Sequence, residues 1–225
     1  MTDAGSGDRR LPLVEPPFED PADADAPDSP RVGGVVLAGG TSSRYGDRNK
    51  LLATVDGDPI VARAAATLVE AELDPVVVVT GHERDRVRAA VSDVPVETVH
   101  NPAYEDGQAS SVRTGVAAIR ERADVDAAVV ALGDMPFVDP ATVRTLAAAY
   151  AAGAGDALAA AYRGERGNPV LFDRRFFDPL TDVTGDVGGR EILLEGEASA
   201  LVAVEDPGVR RDVDEPTDLA GDDVA

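Results

Sequence analysis

Four consecutive valines, Val76 to Val79, form an apolar run with no polar face. Such a run reads as a strand covered on both sides, which a helix-flanked parallel sheet provides and a half-solvated hairpin does not. Val35-Val36-Leu37-Ala38, ended by Gly39-Gly40, has the same character and reads as a buried strand entering a tight turn. Val94 to Val99 and Ala127 to Leu132 supply two more strands. Helical segments alternate with them. Pro59 to Leu73 carries Ile60, Val61, Ala64, Ala65, Leu68 and Val69 at helical spacing, with Asp58 as N-cap and Pro59 at the first helical position. Glu83 to Val91, Ser110 to Arg122 and Pro140 to Ala151 are the other helices, the last opened by Asp139. The alternation predicts an α/β fold with a mostly parallel sheet and helices on both faces.

The last third is less regular. Ala157 to Ala161, Pro169 to Phe172 and Leu201 to Val204 read as strands. Phe176 to Leu180 and Gly188 to Leu194 read as helical, and Pro216 to Leu219 as a short terminal turn. Residues 1–30 hold eight acids, two arginines and six prolines, too little apolar surface to offset chain entropy, and read as a disordered tail. Leu11, Leu13, Val14 and Phe18 are the residues there that could dock. Residues 31–225 then form a single domain, with an irregular lobe at about 157–200.

Forty-two Asp and Glu against 21 Lys and Arg give a formal net charge of -21, which argues against a nucleic-acid partner. No apolar run approaches the ~18 residues of a membrane helix. The acidic, Pro-rich start has no signal-peptide core, so a cytoplasmic location without a membrane partner is expected. The absence of Cys excludes disulfides, Cys-zinc sites and thiol nucleophiles, and two His argue against a multi-histidine metal site. Asp outnumbers Glu 28 to 14, and 20 Arg accompany one Lys. Dense carboxylates with almost no lysine read as a salt-adapted, haloarchaeal surface, soluble because counterions screen the repulsion.

Ligands of open α/β sheets bind beyond the carboxyl ends of the strands, so the turns there are where chemistry belongs. After the first strand come Gly39-Gly40, the hydroxyls of Thr41, Ser42 and Ser43, and the cations Arg44, Arg48 and Lys50. The single lysine of an acidic chain falls in this turn. Close-approaching backbone amides with cations make an anion cradle suited to phosphates. The turn is not a P-loop, since Asp47 follows Gly46, and it lacks the Gly-x-Gly-x-x-Gly dinucleotide fingerprint. Gly133-Asp134-Met135-Pro136 ends the Ala127–Leu132 strand and places a carboxylate where a phosphate-bridging divalent ion would sit. His82 and His100 have no acid–base partner in the sequence and are assigned no catalytic role.

The stretch LAGGTSSRYGDRNK, Leu37 to Lys50, resembles the signature of the MobA-like nucleotidyltransferases, with one extra residue before Lys50. Further likeness extends over about residues 32–220. Asn101-Pro102 through Gly107-Gln108-Ala109-Ser110-Ser111-Val112-Arg113-Thr114-Gly115 is similar to the segment beside base and ribose, with Ser110 and Ser111 opening a helix whose amides favour an anion. Arg166-Gly167-Asn168-Pro169 and Gly185-Asp186-Val187-Gly188-Gly189-Arg190 resemble the acceptor lobe of the cytidylyltransferase branch, with Asn168 where His is usual. Arg211 to Leu219 resembles the family's closing Asp-Ile-Asp-Thr-Pro-Glu-Asp-Leu, with Glu215 in place of Thr. Alternation would put Asp212 and Asp214 on one face.

The resemblance implies a Rossmann-like three-layer α/β/α nucleotidyltransferase fold. It implies nucleotide binding by Leu37, Ala38, Gly39, Gly40, Ser43, Arg44, Lys50, Gly81, Ser110, Ser111 and Gly115. Arg44, Lys50 and Asp134 would be catalytic, and Mg²⁺ would be held by Asp134 with Asp212 or Asp214. The acceptor would meet Gly167, Asn168, Pro169, Asp186, Gly188 and Arg190. The implied reaction passes a nucleoside monophosphate from a triphosphate to the phosphate of molybdopterin or its molybdenum-loaded form, and releases pyrophosphate. The late segments favour CTP, whereas Leu-Ala-Gly-Gly is more typical of the guanylyl branch and GTP. Transient contact with molybdoenzyme maturation proteins would follow. Another phosphorylated acceptor, or a non-catalytic nucleotide-binding or cofactor-delivery protein, are the alternatives.

Overall fold

The computed structural model describes residues 11–18, 29–41, 45, 48–183, 185 and 189–219. Its strands are β1 (Leu13–Val14), β2 (Val32–Ala38), β3 (Thr54–Val55), β4 (Asp58–Pro59), β5 (Val76–Thr80), β6 (Glu97–His100), β7 (Ala127–Leu132), β8 (Ala157–Tyr162), β9 (Glu165–Asp173) and β10 (Ser199–Val204). Its helices are α1 (Ile60–Glu70), α2 (Arg84–Ala90), α3 (Gln108–Arg122), α4 (Pro140–Ala151), α5 (Phe177–Asp182) and α6 (Arg190–Glu195). Eight strands form one sheet in the order β1-β10-β8-β9-β7-β2-β5-β6, and β3 pairs with β4. Within the large sheet only β9 runs antiparallel to its neighbours, β7 and β8.

The pleat divides the apolar runs between two cores, because successive side chains point to opposite faces. Val36, Val76, Val78 and Val129 pack with α1, α2 and α4 residues such as Leu68, Val87 and Leu146. Val35, Leu37, Val77, Val79 and Val130 pack with Val112, Val116 and Ile119 of α3, Phe177 and Leu180 of α5 and Leu193 of α6. The three-layer architecture expected from the sequence is therefore present, with β7, β2 and β5 as consecutive parallel neighbours within the sheet. No helix among the described residues is long and apolar enough to cross a membrane.

Three local expectations are corrected. The disordered reading of residues 1–30 fails over 11–18. There Leu13 and Val14 pair in parallel with Leu201 and Val202, and the Leu201 amide donates to the Pro12 carbonyl at 2.8 Å. Val14 and Phe18 reach one core and Leu11 the other, so a local apolar cluster overrides an acidic average. Asp58 does not cap α1. Asp56 and Gly57 take positive φ, 55° and 97°, and turn a two-residue hairpin that places Asp58–Pro59 in β4. Finally, α3 begins at Gln108 after Gly107, whose φ is 96°, so Ser110 and Ser111 sit inside its first turn.

Candidate active site

The site forms where the turns after β2, β5 and β7 meet. β2 lies between the other two, with Leu37 opposite Leu132 and Ala38 opposite Thr80. The Gly133 amide donates to the Leu37 carbonyl at 2.9 Å, and the His82 amide to the Gly39 carbonyl at 3.3 Å. Glycines make these crossings possible. A Cβ on Gly81 would lie 2.6 Å from the Gly39 carbonyl oxygen and 2.5 Å from Tyr104 Cβ. Gly40, by contrast, faces open space, with no heavy atom within 4 Å of where its Cβ would be.

A cavity of about 420 Å³ opens above this junction, lined by Gly39, Gly40, Thr41, Lys50, Ser111 and Asp134, among others. Lys50 enters it from a short 3₁₀ turn, Lys50–Leu52, which is capped by the Asn49 side chain accepting from the Leu51 amide and anchored by buried Leu51. Its Nζ donates to Asp134 Oδ2 at 2.7 Å and to Asp214 Oδ1 at 2.8 Å. Burial alone would lower the Lys50 pKa, but the charges and hydrogen bonds of Asp134 and Asp214 outweigh it and hold the ammonium above its ordinary value. Asp134 Oδ1 is buried and has no hydrogen-bond partner.

The closing segment is fastened beside Asp134. The Val213 amide donates to the Asp134 carbonyl at 2.9 Å and its side chain is fully buried. Asp218 Oδ2 accepts from the amides of Asp214 and Glu215, and the Arg211 guanidinium lies 3.9 Å from the centre of the Phe137 ring. This path brings Asp214 to Lys50 and leaves Asp212 exposed. The placement separates the two acids that alternation alone would treat alike.

A second cavity of about 420 Å³ adjoins the first and shares Leu37, Gln108 and Leu132 with it. Asn168 and Arg190 line it together with Arg166, which belongs to the Arg166–Pro169 segment but was not among the expected acceptor residues. Desolvation lowers the Arg166 pKa, and the like charge of Arg190 adds to the shift. Among the described residues neither guanidinium has a carboxylate partner, although acids outnumber bases two to one in the chain.

Other expected residues have packing positions. Ala38 is in the α1-side core. Ser110 is buried, accepts from Asn101 Nδ2 at 2.8 Å and donates to the Gly107 carbonyl. Gly115 lies where α3 crosses the sheet, and a Cβ there would stand 2.3 Å from Val35 Cγ1. Gly167 would meet the Val209 carbonyl oxygen at 2.2 Å, and Pro169 is buried. Ser43, Arg44, Asp186 and Gly188 lie outside the described residues. Tyr104, Glu105 and Gln108 line the first cavity without having been singled out, although all belong to the Asn101–Gly115 motif. Among the described residues no three acidic or His side chains converge as a metal site. Among the described residues, Asp134 and Asp214 bring carboxylates to Lys50, and one or two carboxylates plus substrate phosphates are what Mg²⁺ ordinarily uses.

Comparison with known proteins places the chain among nucleotidyltransferases and related proteins. The Bacillus subtilis purine catabolism protein PucB is 29% identical over 84% of this chain and 94% of its own length. The nicotine blue oxidoreductase of Paenarthrobacter nicotinovorans is 31% identical over 75% and 84%. A probable molybdenum cofactor guanylyltransferase of Natronomonas pharaonis is 30% identical over 48% and 51%. The chain spans only 33% of the length of the bifunctional protein GlmU of Clavibacter sepedonicus, to which it is 33% identical. Among solved structures, Rv0371c of Mycobacterium tuberculosis superposes with a TM-score of 0.73 at 29% identity, covering 85% of this chain and 97% of that one. A nucleotidyl transferase from Methanothermobacter thermautotroptrophicus superposes with a TM-score of 0.72 at 25% identity, covering 84% and 94%. Residues 34–200, most of the sequence, match the MobA-like NTP transferase domain, and the chain belongs to that family.

Proposed function

We propose that the protein is a divalent-metal-dependent nucleotidyltransferase that moves a nucleoside monophosphate from a triphosphate to the phosphate of a molybdopterin-type acceptor. The observation that carries the reading is the meeting of Lys50 and Asp134 in the lining of one cavity, beside an adjoining cavity that presents Arg166 and Arg190. An acceptor phosphate is already anionic near neutral pH, so no strong base is required. Its oxygen attacks the α-phosphorus in line, the bond to the bridging oxygen breaks, and pyrophosphate leaves. The protein's task is to crowd these anions together and to neutralise the added charge. The Gly39–Gly40 backbone and Lys50 would receive the triphosphate, while Arg166 and Arg190 would grip the acceptor phosphate as forked donors. Arg44 is proposed, from the family likeness of Leu37 to Lys50 alone, as a further cation for the phosphates.

Mg²⁺ fits the partnerless Asp134 Oδ1, with Asp214 as second carboxylate, and would neutralise triphosphate charge when bound. A manganese complex of Rv0371c, 27% identical with a TM-score of 0.68, supports a divalent ion. CTP is the first donor, carried by the likeness of residues 166–169 and 185–190 to the cytidylyl branch. GTP is the second, carried by relatives from Natronomonas pharaonis and Haloferax mediterranei named as probable molybdenum cofactor guanylyltransferases. The test is pyrophosphate release with Mg²⁺, each of the four nucleoside triphosphates, and molybdopterin present or absent. Release with CTP or GTP that depends on acceptor supports the reading. Nucleotide binding without release under any combination overturns it in favour of a delivery protein.

A further inference from the structure

We propose that Lys50 is a displaceable cation that holds the Asp134–Asp214 pair against a divalent ion until nucleotide phosphates draw its ammonium away. The inference deepens the reading of this cavity as a triphosphate site and rests on it. Asp134 follows β7 and Asp214 lies on the closing segment, yet one ammonium touches both, at 2.7 and 2.8 Å. Two carboxylates this near one point repel each other unless a cation stands between them. The Lys50 side chain fills that place and is only 15% exposed. A divalent ion drawn to the partnerless Oδ1 of Asp134 would therefore meet a positive charge held on the neighbouring oxygen.

The same cavity offers the lysine somewhere else to go. Gly39, Gly40 and Thr41 line it together with Lys50, so a phosphate chain seated there would compete with the carboxylates for the ammonium. A flexible four-carbon stem rising from a firmly anchored turn allows that exchange. Nucleotide binding then opens the carboxylate pair to metal, and by reciprocity metal strengthens nucleotide binding. The lysine would keep the site from taking up divalent ions without substrate.

The experiment is Mn²⁺ titration of the full chain followed by electron paramagnetic resonance, in molar KCl to screen the acidic surface. Wild type is compared with Lys50→Gln and Lys50→Arg, each shown to be folded by thermal melting. Without nucleotide, Lys50→Gln should bind Mn²⁺ about tenfold more tightly than wild type, and Lys50→Arg should not; adding CTP or GTP should tighten wild type about tenfold and Lys50→Gln far less. Asp134→Asn should abolish the tight site. Should Lys50→Gln not fold, Lys50→Met carries the same comparison. Equal or weaker Mn²⁺ binding by the neutral variant without nucleotide overturns the proposal. The nucleotide-free arm is independent of turnover, so failure of pyrophosphate release alone would sink the transferase reading and leave this result standing.

Discussion

Two buried glycines with similar steric surroundings should answer substitution in opposite ways. At Gly115 an added methyl would stand 2.3 Å from Val35 Cγ1 and 3.0 Å from Val79 Cγ2, both on side chains that are stiff and fully buried. Overpacking of this kind costs about 1–3 kcal/mol. The gain in helix propensity returns up to about 1 kcal/mol, because Gly115 lies inside α3. The net loss, up to about 2 kcal/mol, should lower the Tm of Gly115→Ala by up to about 8 °C at this chain length. Nothing at Gly115 faces either cavity, so nucleotide affinity should stay within about twofold.

At Gly81 the methyl would meet the Gly39 carbonyl oxygen at 2.6 Å and Gly39 Cα at 2.8 Å. Backbone must then retreat by about 0.7 Å to reach an ordinary carbon–oxygen contact. That movement displaces the turn on which the phosphates would rest, and losing one backbone hydrogen bond to a charged phosphate should weaken nucleotide binding on the order of tenfold to a hundredfold. The assay is calorimetric titration of each variant with Mg²⁺ and CTP or GTP, paired with thermal unfolding. A Gly115→Ala protein with unchanged Tm and lost affinity, or a Gly81→Ala protein that binds normally, would refute the assignment of one glycine to packing and the other to the site.

Asp173 accepts from the Tyr150 hydroxyl at 2.7 Å and from the Arg175 amide at 2.8 Å. Burial alone would raise its pKa, but these bonds and the Arg175 charge hold it below the usual 3.8. Its stabilisation is therefore complete above the unfolded value and is lost as pH falls through the folded one. Denaturation curves should show Asp173→Asn costing about 1–3 kcal/mol at neutral pH, with the gap closing in that acid window; a constant gap would contradict the linkage. With a net charge of -21, the protein should melt higher in molar KCl than in dilute buffer, and equal melting would dismiss the salt-adapted reading. Leu13→Asp should cost about 1 kcal/mol or less by urea unfolding, since Leu13 is 44% exposed at an edge strand, whereas Val36→Ala, fully buried, should cost more.

The central strands were legible because their apolar runs leave one architecture open, and the ends of β7 and α4 fall where the residues alone place them. The closeness of Lys50 and Asp134 was legible for another reason. One is the single lysine of an acidic chain, and the other follows a buried strand directly. The choice between Asp212 and Asp214 was not legible, since it depends on Val213 being buried and bonded to the Asp134 carbonyl. Gly115 misled for a physical reason: a glycine that admits a ligand and one that admits a neighbouring strand are identical in sequence. Arg166 passed unselected because its meaning comes from Arg190, 24 positions away, across the same cavity. The Asp56-Gly57 hairpin was a local signal that the helical spacing of the following residues obscured.

The positions of a bound nucleotide and a divalent ion decide most directly whether Lys50 and Asp134 form a triphosphate site. Crystals grown with Mn²⁺ and a non-hydrolysable analogue of CTP or GTP, measured for manganese anomalous scattering, locate both at once. A metal peak against Asp134, with the phosphate chain lying along Gly39–Gly40 and Lys50 drawn toward it, is the result the account requires. A triphosphate seated on Arg166 and Arg190 instead, with no manganese at Asp134, would contradict it.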